Sequence, residues 1–576
     1  MGDRSEKVDL DDVGKFFQPL EIPDETLYNL SYHFSTTYRS LAANSRDQFL
    51  PIPIKNLPTG KEVGTYLAVY AGLYYLRVCF VELLGDAGEP QGRNPEKPRV
   101  RRNLEKAWPI ESRLKQDNAS ELFAWIGDCI AEIVMDRLEG GTHGLEETRE
   151  LDMGISFCFP IKQNSIDEAI LMATGKGFAL KSQLDLRQAL FDGYECHVRR
   201  ARTPSTPGRK RPKTHALPKL RITSMVNDTV ATFASLAYSI RSLPNTRVVM
   251  GLLVGAGCNA TVPMRLDDLH ESKVQHILRK DPAAVDTLVT TEWTLSAASA
   301  PLIQLDLITP WDSQLDANGD RPGFQPLEYM VAGRYIGELV RIMVHDYFHT
   351  VLGVHDTDLP TQLVIPYALK TDFLSLVVAP SRDSEDLCVD LREDLPSPPS
   401  SHWQWTPASA AVLRSATTKI QRRAAGIIAA ASVGLLACTR EIKLARPDEP
   451  KKSQVGSTAE VQLPEKLLGD GTSDTLARSR IPLRSCSKEA SATSTEWQSS
   501  SPEELVIAFS GGVIQHWPGF RESIQWHIDR LILRGGPQEL GKSVFLREAS
   551  DGGIIGVGVL AGTVAGSIEG IVGSDL

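Results

Sequence analysis

The feature that most constrains the fold is a strand–turn–helix pattern that appears in both halves of this 576-residue chain. In the first half, the segment TYLAVYAGLYYLRVCFVEL (65–83) is rich in β-branched and aromatic residues, which favours a buried hairpin turning near Gly72. Similar patterns resume at LRITSMVNDTVATFASLAY (220–238) and RVVMGLLVGAGCNATV (247–262). We therefore expect an α/β protein with two lobes and a cleft between them.

The same patterns divide the chain into four parts. We expect an N-terminal helical segment at 1–60, a smaller lobe at 61–220, a larger lobe at 221–545, and a C-terminal glycine-rich helix at 546–576 that returns to the cleft or the smaller lobe. Apolar residues at helical spacing predict helices at 117–137 and 324–348. The apolar run AAGIIAAASVGLLAC (424–438) is shorter than the ~20 residues that a bilayer requires, so it predicts a buried helix.

Two segments interrupt these patterns. Residues 199–219 form a Pro-rich insert with eight Lys or Arg residues and no acid, which is typical of a solvated loop, a nuclear-import signal or an anion-docking patch. Residues 445–502 are dominated by Ser, Thr, Pro, Lys and Glu, and such a composition buries too little apolar surface to offset its ordering entropy. We expect a disordered insertion there.

Charge and cysteine content narrow the class of protein. The chain has 62 Lys and Arg against 72 Asp and Glu, a net charge of −10, which argues against a direct nucleic-acid partner. The N-terminus is polar and acidic without a secretory signal, and we expect no membrane partner. The eight cysteines are scattered without a CxxC pair, as in reduced proteins that lack a structural zinc site. The expected location is cytoplasmic, with nuclear import through the basic insert as an alternative.

Several segments, taken in order, resemble the hexokinase family of sugar kinases. They are LPTGKEVGTYLAV (57–69) before a first phosphate loop, MGISFCFPIKQNSIDEAILMATGKGF (153–178) as a sugar signature, VNDTVATFASLAY (226–238), GLLVGAGCNA (251–260) as a second phosphate loop, TEW (291–293), RPGFQPLEYMVAGRYIGELVR (321–341), WPGF (517–520) and SDGGIIGVGV (550–559). The resemblance implies a two-lobed, actin-like ATPase fold with a sugar-binding cleft between the lobes. It also implies descent from ATP-dependent hexose or N-acetylhexosamine 6-kinases, with a slight leaning to the fungal N-acetylglucosamine kinases.

The resemblance also assigns roles to individual residues. Asp228 matches the family's catalytic base, although an acid starting the following helix is an alternative explanation. The implied sugar contacts are Cys158, Lys176, Asn227, Asp228, Asn259, Glu292 and Glu328. For the two glutamates, the alternative is that they face solvent. The implied nucleotide contacts are Gly72, Arg77, Gly255, Gly257 and Gly556, and no residue is assigned to a metal.

The sequence departs from the family's pattern on both sides of the cleft. On the sugar side, Cys158 replaces a serine, Thr174 a tryptophan and Gly175 a threonine. On the nucleotide side, Ala256 replaces a threonine of the second loop, Ser510 stands where the family usually has Asp, and Ile554 replaces a glycine. The first phosphate loop changes most, because Tyr70, Leu73, Tyr74 and Tyr75 replace its acid, second glycine, threonine and asparagine.

These changes are unequal in their expected effects. Losing one neutral hydrogen bond costs roughly 0.5–1.5 kcal/mol, whereas removing one positioned donor costs ~3 kcal/mol in a transition state. We expect three phenol rings in the space of the phosphates, and a disfavoured backbone at Leu73 if the glycine that it replaces used positive φ.

The resulting expectation is a protein that binds sugar, turns over weakly or not at all, and regulates a protein partner. Its cofactor would then be none, or Mg-ATP if it is active. The alternatives are an active hexokinase or N-acetylglucosamine kinase that uses Asp228 as base, and a scaffold that binds neither ligand.

Overall fold

The structure is a computed structural model. It describes residues 10–54, 56–85, 99–116, 119–140, 150–172, 178, 180–202, 217–240, 243, 245–447 and 503–572. Lys176 and its neighbours Thr174 and Gly175 lie outside the described residues, as do most of the basic insert and residues 448–502 of the Ser/Thr-rich insert.

Most strands form in runs rich in Val, Ile, Leu and aromatic residues, which suit a buried pleated surface, whereas β4 is largely charged and exposed. In chain order they are β1 (Leu50–Ile52), β2 (Val63–Ala71), β3 (Tyr75–Leu84), β4 (Val100–Pro109), β5 (Glu150–Phe157), β6 (Ile161–Lys162), β7 (Ile170–Leu171), β8 (Lys219–Asn227), β9 (Thr246–Val254), β10 (Cys258–Arg265), β11 (Asp286–Thr290), β12 (Glu504–Ser510) and β13 (Ser543–Glu548).

The helices surround and separate the sheets. They are α1 (Leu10–Phe16), α2 (Asp24–Asn44), α3 (Ala119–Glu139), α4 (Leu186–Arg202), α5 (Asp228–Ile240), α6 (Glu271–Lys280), α7 (Ala300–Gln304), α8 (Pro310–Ala317), α9 (Pro326–Val331), α10 (Gly333–Thr350), α11 (Thr361–Val364), α12 (Thr371–Phe373), α13 (Ser384–Asp394), α14 (Pro407–Cys438), α15 (Gly512–His516), α16 (Phe520–Gly535) and α17 (Gly552–Val572).

Two mixed sheets share one topology. The sheet of the smaller lobe has the order β4-β3-β2-β5-β8, and that of the larger lobe has the order β11-β10-β9-β12-β13 with β1 added at its edge. Apart from β1, the first three strands of each sheet in sequence pair antiparallel, and the next two continue parallel to the first of these three. Each lobe is therefore built on the same meander followed by crossovers.

The two lobes exchange helices. α5 follows the last strand of the smaller sheet but packs against β9, β10 and β12 of the larger one. α17 follows the last strand of the larger sheet and packs against β2, β3, β5 and β8 of the smaller one. The two helices also contact each other along much of their length, so they form the layer between the sheets.

The expected domain boundaries need adjustment. The boundary at 220 falls inside β8, which pairs with β5 of the smaller lobe, and the boundary at 545 falls inside β13. The N-terminal segment is not separate, because β1 pairs with β11 and α2 packs on α14. α14 is long and apolar enough to cross a membrane by length and composition alone, but 89% of its most apolar window is buried inside the protein. In this structure it is a core helix.

The single helix expected at 324–348 is wrong in one respect. The structure has α9 and α10, separated at Ala332, where the backbone is extended with φ −95° and ψ 146°. The N–H of Gly333 then donates to the carbonyl of Gly255 at 2.8 Å. The break lets the start of α10 dock on the loop between β9 and β10, a contact that no local periodicity reveals.

Candidate functional site

Two adjoining cavities lie between the lobes. One has a volume of about 380 Å³ and the other about 1110 Å³. Cys158, Asp228 and Leu253 line both of them, so these residues mark the place where the cavities meet. Below we name them the sugar-side cavity (380 Å³) and the wide cavity (1110 Å³).

Asp228 lies where β8 ends and α5 begins. It is the first residue of α5 and only 2% exposed, so both explanations offered for it, an acid at a helix start and a cleft carboxylate, describe its position. The Asp228 carbonyl accepts a hydrogen bond from Thr232 Oγ1 at 2.8 Å, which ties it to the first turn of the helix. The strand-to-helix junction thus holds one carboxylate where the two cavities meet.

Asn227 is fixed beside this carboxylate. Its Oδ1 accepts hydrogen bonds from the backbone N–H of Thr229 at 3.0 Å and from Thr229 Oγ1 at 2.7 Å. Thr229 Oγ1 in turn lies 2.5 Å from Thr261 Oγ1 of the larger sheet. Asn227 lines the sugar-side cavity, and its amide orientation is set before any ligand arrives.

Asn259, Glu292 and Glu328 line the sugar-side cavity from the larger lobe. Asn259 Nδ2 donates to Glu292 Oε1 at 2.9 Å, and the backbone N–H of Cys258 donates to Glu328 Oε2 at 3.1 Å. Glu292 is 5% exposed and Glu328 is 0% exposed. The alternative in which these acids face solvent is therefore wrong, since both are buried with hydrogen-bond donors as buried charges require.

Sequence reasoning missed two glutamines. Gln325 lines the sugar-side cavity and donates to Thr294 Oγ1 at 3.2 Å. Its position was an available signal, because it directly precedes the short helix α9 that carries Glu328. Gln48 donates through Nε2 to the carbonyl of Glu292 at 2.9 Å, and this contact spans 244 positions without any local pattern.

Gln48 matters because of the backbone that it supports. Glu292 has φ 49°, which is uncommon for a residue other than glycine. β1 pairs with β11 beside this position, and the N–H of Phe49 donates to the carbonyl of Thr291 at 3.2 Å. The N-terminal segment thus holds Glu292 in the conformation that places its carboxylate next to Asn259.

The turn between β2 and β3 differs from our expectation at Leu73. The N–H of Gly72 donates to the carbonyl of Tyr75 at 3.0 Å, which closes a short turn. Leu73 does not adopt positive φ, and it is 6% exposed within the core of the smaller lobe. The expectation of a disfavoured backbone there is wrong, because the rebuilt turn points the leucine inward.

Tyr70 occupies the boundary between this turn and α17. A Cβ built on Gly553 would lie 2.8 Å from Tyr70 Cδ2, and one built on Gly72 would lie 2.9 Å from Tyr70 Cε1, so both glycines leave room for the ring. Burial and the negative charge of Asp228 raise the pKa of Tyr70, so the phenol is neutral. A neutral phenol therefore lies near the carboxylate that joins the cavities.

The other two tyrosines of the turn are 52% and 55% exposed and line the wide cavity. Tyr74 contacts Lys115, whose ammonium lies 5.1 Å from the ring centroid, and burial lowers the pKa of this lysine. Tyr75 lies beside it at the start of β3. These rings narrow the wide cavity without filling it.

Arg77 lines the wide cavity, but its guanidinium is already engaged. It pairs with Asp551 at 2.6 Å and with Glu105, and Arg102 pairs with the same two carboxylates at 2.7 Å and 2.9 Å. The four charges link β3 and β4 to the residue before α17. An anion in the cavity would have to compete with two carboxylates for Arg77.

The floor of the wide cavity is made of glycines. Gly255 and Gly257 line it as expected positions of the second loop, and the N–H of Gly255 donates to the carbonyl of Gly257 at 2.9 Å. Gly511 has φ 113°, and a Cβ built on Gly512 would meet nothing within 4 Å. Bare main chain is therefore accessible on this wall.

Gly556 does not line either cavity. A Cβ built there would lie 1.8 Å from the carbonyl oxygen of Ala231, so this glycine allows α17 and α5 to touch. Its implied contact with the nucleotide stays a prediction, and in the structure this glycine allows the close packing of α17 on α5.

The duplicated sheets, the exchanged helices and the polar cleft define an α/β protein with the two-lobed, actin-like ATPase fold. Residues 12–238 and 249–563 match two family models that are both described as hexokinase, and the chain belongs to the hexokinase family.

Its relatives include the hexokinase of Schwanniomyces occidentalis, 27% identical over 64% of this chain and 67% of that protein. Hexokinase-1 of Schizosaccharomyces pombe is 26% identical over 64% of this chain and 66% of that protein. Hexokinase-7 of Oryza sativa subsp. japonica is 24% identical over 88% and 86%. The aligned regions thus span about two thirds of the first two relatives. A solved hexokinase from Schistosoma mansoni, complexed with glucose, matches with a TM-score of 0.66 at 20% identity over 96% of this chain and 98% of that one, which shows the shared fold.

Proposed function

We propose that this protein binds a hexose or an N-acetylhexosamine in the sugar-side cavity and acts as a sugar-sensing regulator with weak or no phosphoryl transfer. The observation that carries the proposal is the neutral ring of Tyr70, which lies between Gly72 and Gly553 near Asp228. The sugar half of the cleft keeps its polar groups, whereas the adjoining turn has exchanged an acid for a phenol.

The sugar side supports binding because its polar groups are already positioned. Asn227, Asn259 and the two buried glutamates are each held by hydrogen bonds within the protein. Fixed donors and acceptors around a small cavity suit a ligand covered with hydroxyl groups. Cys158 and Asp228 also line this cavity. Lys176, another sugar contact that the resemblance implies, stays a prediction because it lies outside the described residues.

The nucleotide side fits Mg-ATP only in part. The glycine floor offers bare main chain to phosphates, but the turn between β2 and β3 offers no carboxylate, and a neutral phenol is a poor Mg²⁺ ligand. Among the described residues, the carboxylates lining the wide cavity are Asp228 and Asp372. Magnesium therefore does not fit the rebuilt turn.

A sugar would be sensed through a change in the relative positions of the two lobes. The sugar-side cavity is lined by Phe159 and Asn227 from the smaller lobe and by Asn259 and Glu328 from the larger lobe. A bound sugar would bridge the two sheets and favour the arrangement in which they lie closest. A protein partner that recognises this arrangement would then respond to sugar concentration.

A second candidate function is an active kinase for the sugar 6-hydroxyl. The wide cavity is large, its floor is glycine, and Asp228 lines both cavities, where a base could accept a hydroxyl proton. In this alternative Asp228 removes the proton from the 6-hydroxyl while Asn227 and Glu292 orient the ring.

One set of assays separates the two functions. Purified protein is tested for ADP release with glucose, mannose and N-acetylglucosamine, together with thermal shifts for each sugar and for Mg-ATP. Sugar-dependent stabilisation without turnover supports the sensor, and turnover abolished by Asp228→Ala supports the kinase. Asp356→Asn, an exposed carboxylate away from both cavities, is the matched control. No thermal shift with any sugar would refute both functions.

Location and partner are part of the same proposal. We infer a cytoplasmic protein that reaches the nucleus through the basic insert, where Arg209, Lys210, Arg211 and Lys213 are clustered. Replacing these four residues with glutamine in a fluorescent fusion is expected to abolish nuclear signal. Unchanged nuclear signal would show that the insert is a solvated loop.

A further inference from the structure

Three side chains of metal-binding type meet on the smaller lobe, outside both cavities. Asp128 comes from α3, and Cys196 and His197 come from α4. One ligand atom from each lies within 4.8 Å of the others, and no second group of this kind occurs among the described residues. The sequence gives no hint of this site, because the three residues share no recognised spacing.

Two glycines cause the meeting. A Cβ built on Gly127 would lie 2.4 Å from the carbonyl carbon and oxygen of Gly193, and one built on Gly193 would lie 2.1 Å from the carbonyl oxygen of Phe123. The backbones of α3 and α4 therefore touch where they cross. Asp128 is next to the first glycine, and Cys196 lies about one helical turn after the second.

The three side chains already interact in pairs or with the main chain. His197 Nε2 lies 2.6 Å from Asp128 Oδ1, and Cys196 Sγ lies 3.3 Å from the carbonyl oxygen of Gly193. The His197 side chain is 17% exposed and that of Asp128 is 63% exposed. The imidazole is thus held in place, while the carboxylate can move and the site is open to solvent.

We propose that Asp128, Cys196 and His197 bind one Zn²⁺ ion that joins α3 to α4, with water as the fourth ligand. Thiolate, imidazole and carboxylate together are a donor set that Zn²⁺ accepts, with bonds of about 2.3 Å to sulfur and about 2.0–2.2 Å to nitrogen and oxygen. Cys196 binds as the thiolate, and its proton passes to solvent.

The required movements are small. Tetrahedral bonds of these lengths separate neighbouring donor atoms by about 3.4–3.6 Å. The distance between His197 Nε2 and Asp128 Oδ1, now 2.6 Å, must increase by about 0.8 Å. Cys196 Sγ, which lies at most 4.8 Å from these two atoms, must move closer to them. The exposed Asp128 side chain accommodates the first movement, and rotation about the Cys196 side chain accommodates the second.

The test uses the full chain after removal of metal by a chelator. Co²⁺ is added first as a spectroscopic probe and is then displaced by Zn²⁺. We expect one Co²⁺ per chain with a sulfur-to-cobalt charge-transfer band, and a thermal shift to higher temperature with Zn²⁺. Cys196→Ser is expected to remove the band, and Asp128→Asn to weaken Zn²⁺ binding at least about tenfold.

The chain offers a matched control in His345 and Asp356, whose side chains lie 2.8 Å apart as a His–Asp pair. His345→Gln is expected to leave cobalt absorption and zinc affinity unchanged. Absence of the charge-transfer band in the unaltered protein, or an equal band in Cys196→Ser, would overturn the proposal and leave an ordinary His–Asp hydrogen bond. Asp128→Asn alters an exposed side chain, so its zinc affinity remains a valid measure if the cysteine variant fails to fold.

Discussion

Restoring an acid to the rebuilt turn is the sharpest test of the nucleotide side. The variant Tyr70→Asp with Tyr74→Thr removes two rings from the wide cavity and places a carboxylate near Asp228. Two like charges disfavour each other without a cation, so we expect lower thermal stability in the absence of ligand. A hydrogen bond to a charged group contributes about 1.5–3 kcal/mol, and a gain of that size from the new carboxylate would raise the affinity for Mg-ATP about tenfold to a hundredfold.

Leu73 stays in this variant for a structural reason. Leu73 replaces the second glycine of the family's first phosphate loop, so Leu73→Gly would be the obvious third change. However, Leu73 is buried in the core of the smaller lobe. Deleting a buried leucine costs about 2–5 kcal/mol, and a glycine costs about 0.5–1 kcal/mol more in backbone entropy. Such a loss is a large part of a typical folding free energy of about 5–15 kcal/mol.

The assay is calorimetric titration of Mg-ATP into each variant, with sugar present at saturation. Tyr75→Thr is the matched control, since it removes a half-exposed ring from the same cavity without adding an acid. We expect its affinity to stay close to that of the unaltered protein. A folded Tyr70→Asp, Tyr74→Thr variant whose affinity for Mg-ATP is unchanged would refute our reasoning about the turn.

Three further substitutions test other parts of the molecule. Gly556→Ala pushes a Cβ into the backbone of α5 and is expected to cost about 1–3 kcal/mol in urea unfolding; an unchanged midpoint would contradict the close helix contact. Gln48→Leu removes the donor to the Glu292 carbonyl and is expected to reduce sugar affinity about tenfold by calorimetry, whereas equal affinity would show that the acid needs no such support. Arg423→Leu leaves the buried Asp312 without its bidentate partner and is expected to cost about 3–5 kcal/mol in urea unfolding. Adding Asp312→Leu is expected to recover only part of this loss, because the Asp312 carboxylate also accepts hydrogen bonds from Thr309 at the start of α8.

The sequence was informative wherever a local pattern and a chemical role coincide. The strand before Asp228 and the helix after it are readable from alternation and helical spacing, and the structure has them as β8 and α5. The acids Glu292 and Glu328 could be assigned from the resemblance, and both line the sugar-side cavity with Asp228. The hexokinase family itself could be inferred because its segments occur in order along the chain.

Features that depend on distant contacts could not be predicted. The end of α9 at Ala332 is set by docking of Gly333 on the loop at Gly255, nearly eighty positions earlier. The return of the C-terminal helix to the smaller lobe was expected, but the contact between α5 and α17 through Gly556 joins two distant segments that do not encode it separately. For the same reason Leu73 was misjudged, since its conformation depends on how the whole hairpin turns.

The residues around the turn between β2 and β3 match the side chains that replace the family's phosphate loop. Tyr70 has a glycine on each side, Leu73 fills core volume, and Arg77 pairs with Asp551 at the start of α17. Simple loss of function would leave new side chains without matching neighbours. Here the ring at position 70 requires Gly553, because any larger residue would meet it within 2.8 Å. The hairpin and α17 therefore form one packed unit, which gives the smaller lobe a firm wall beside the wide cavity.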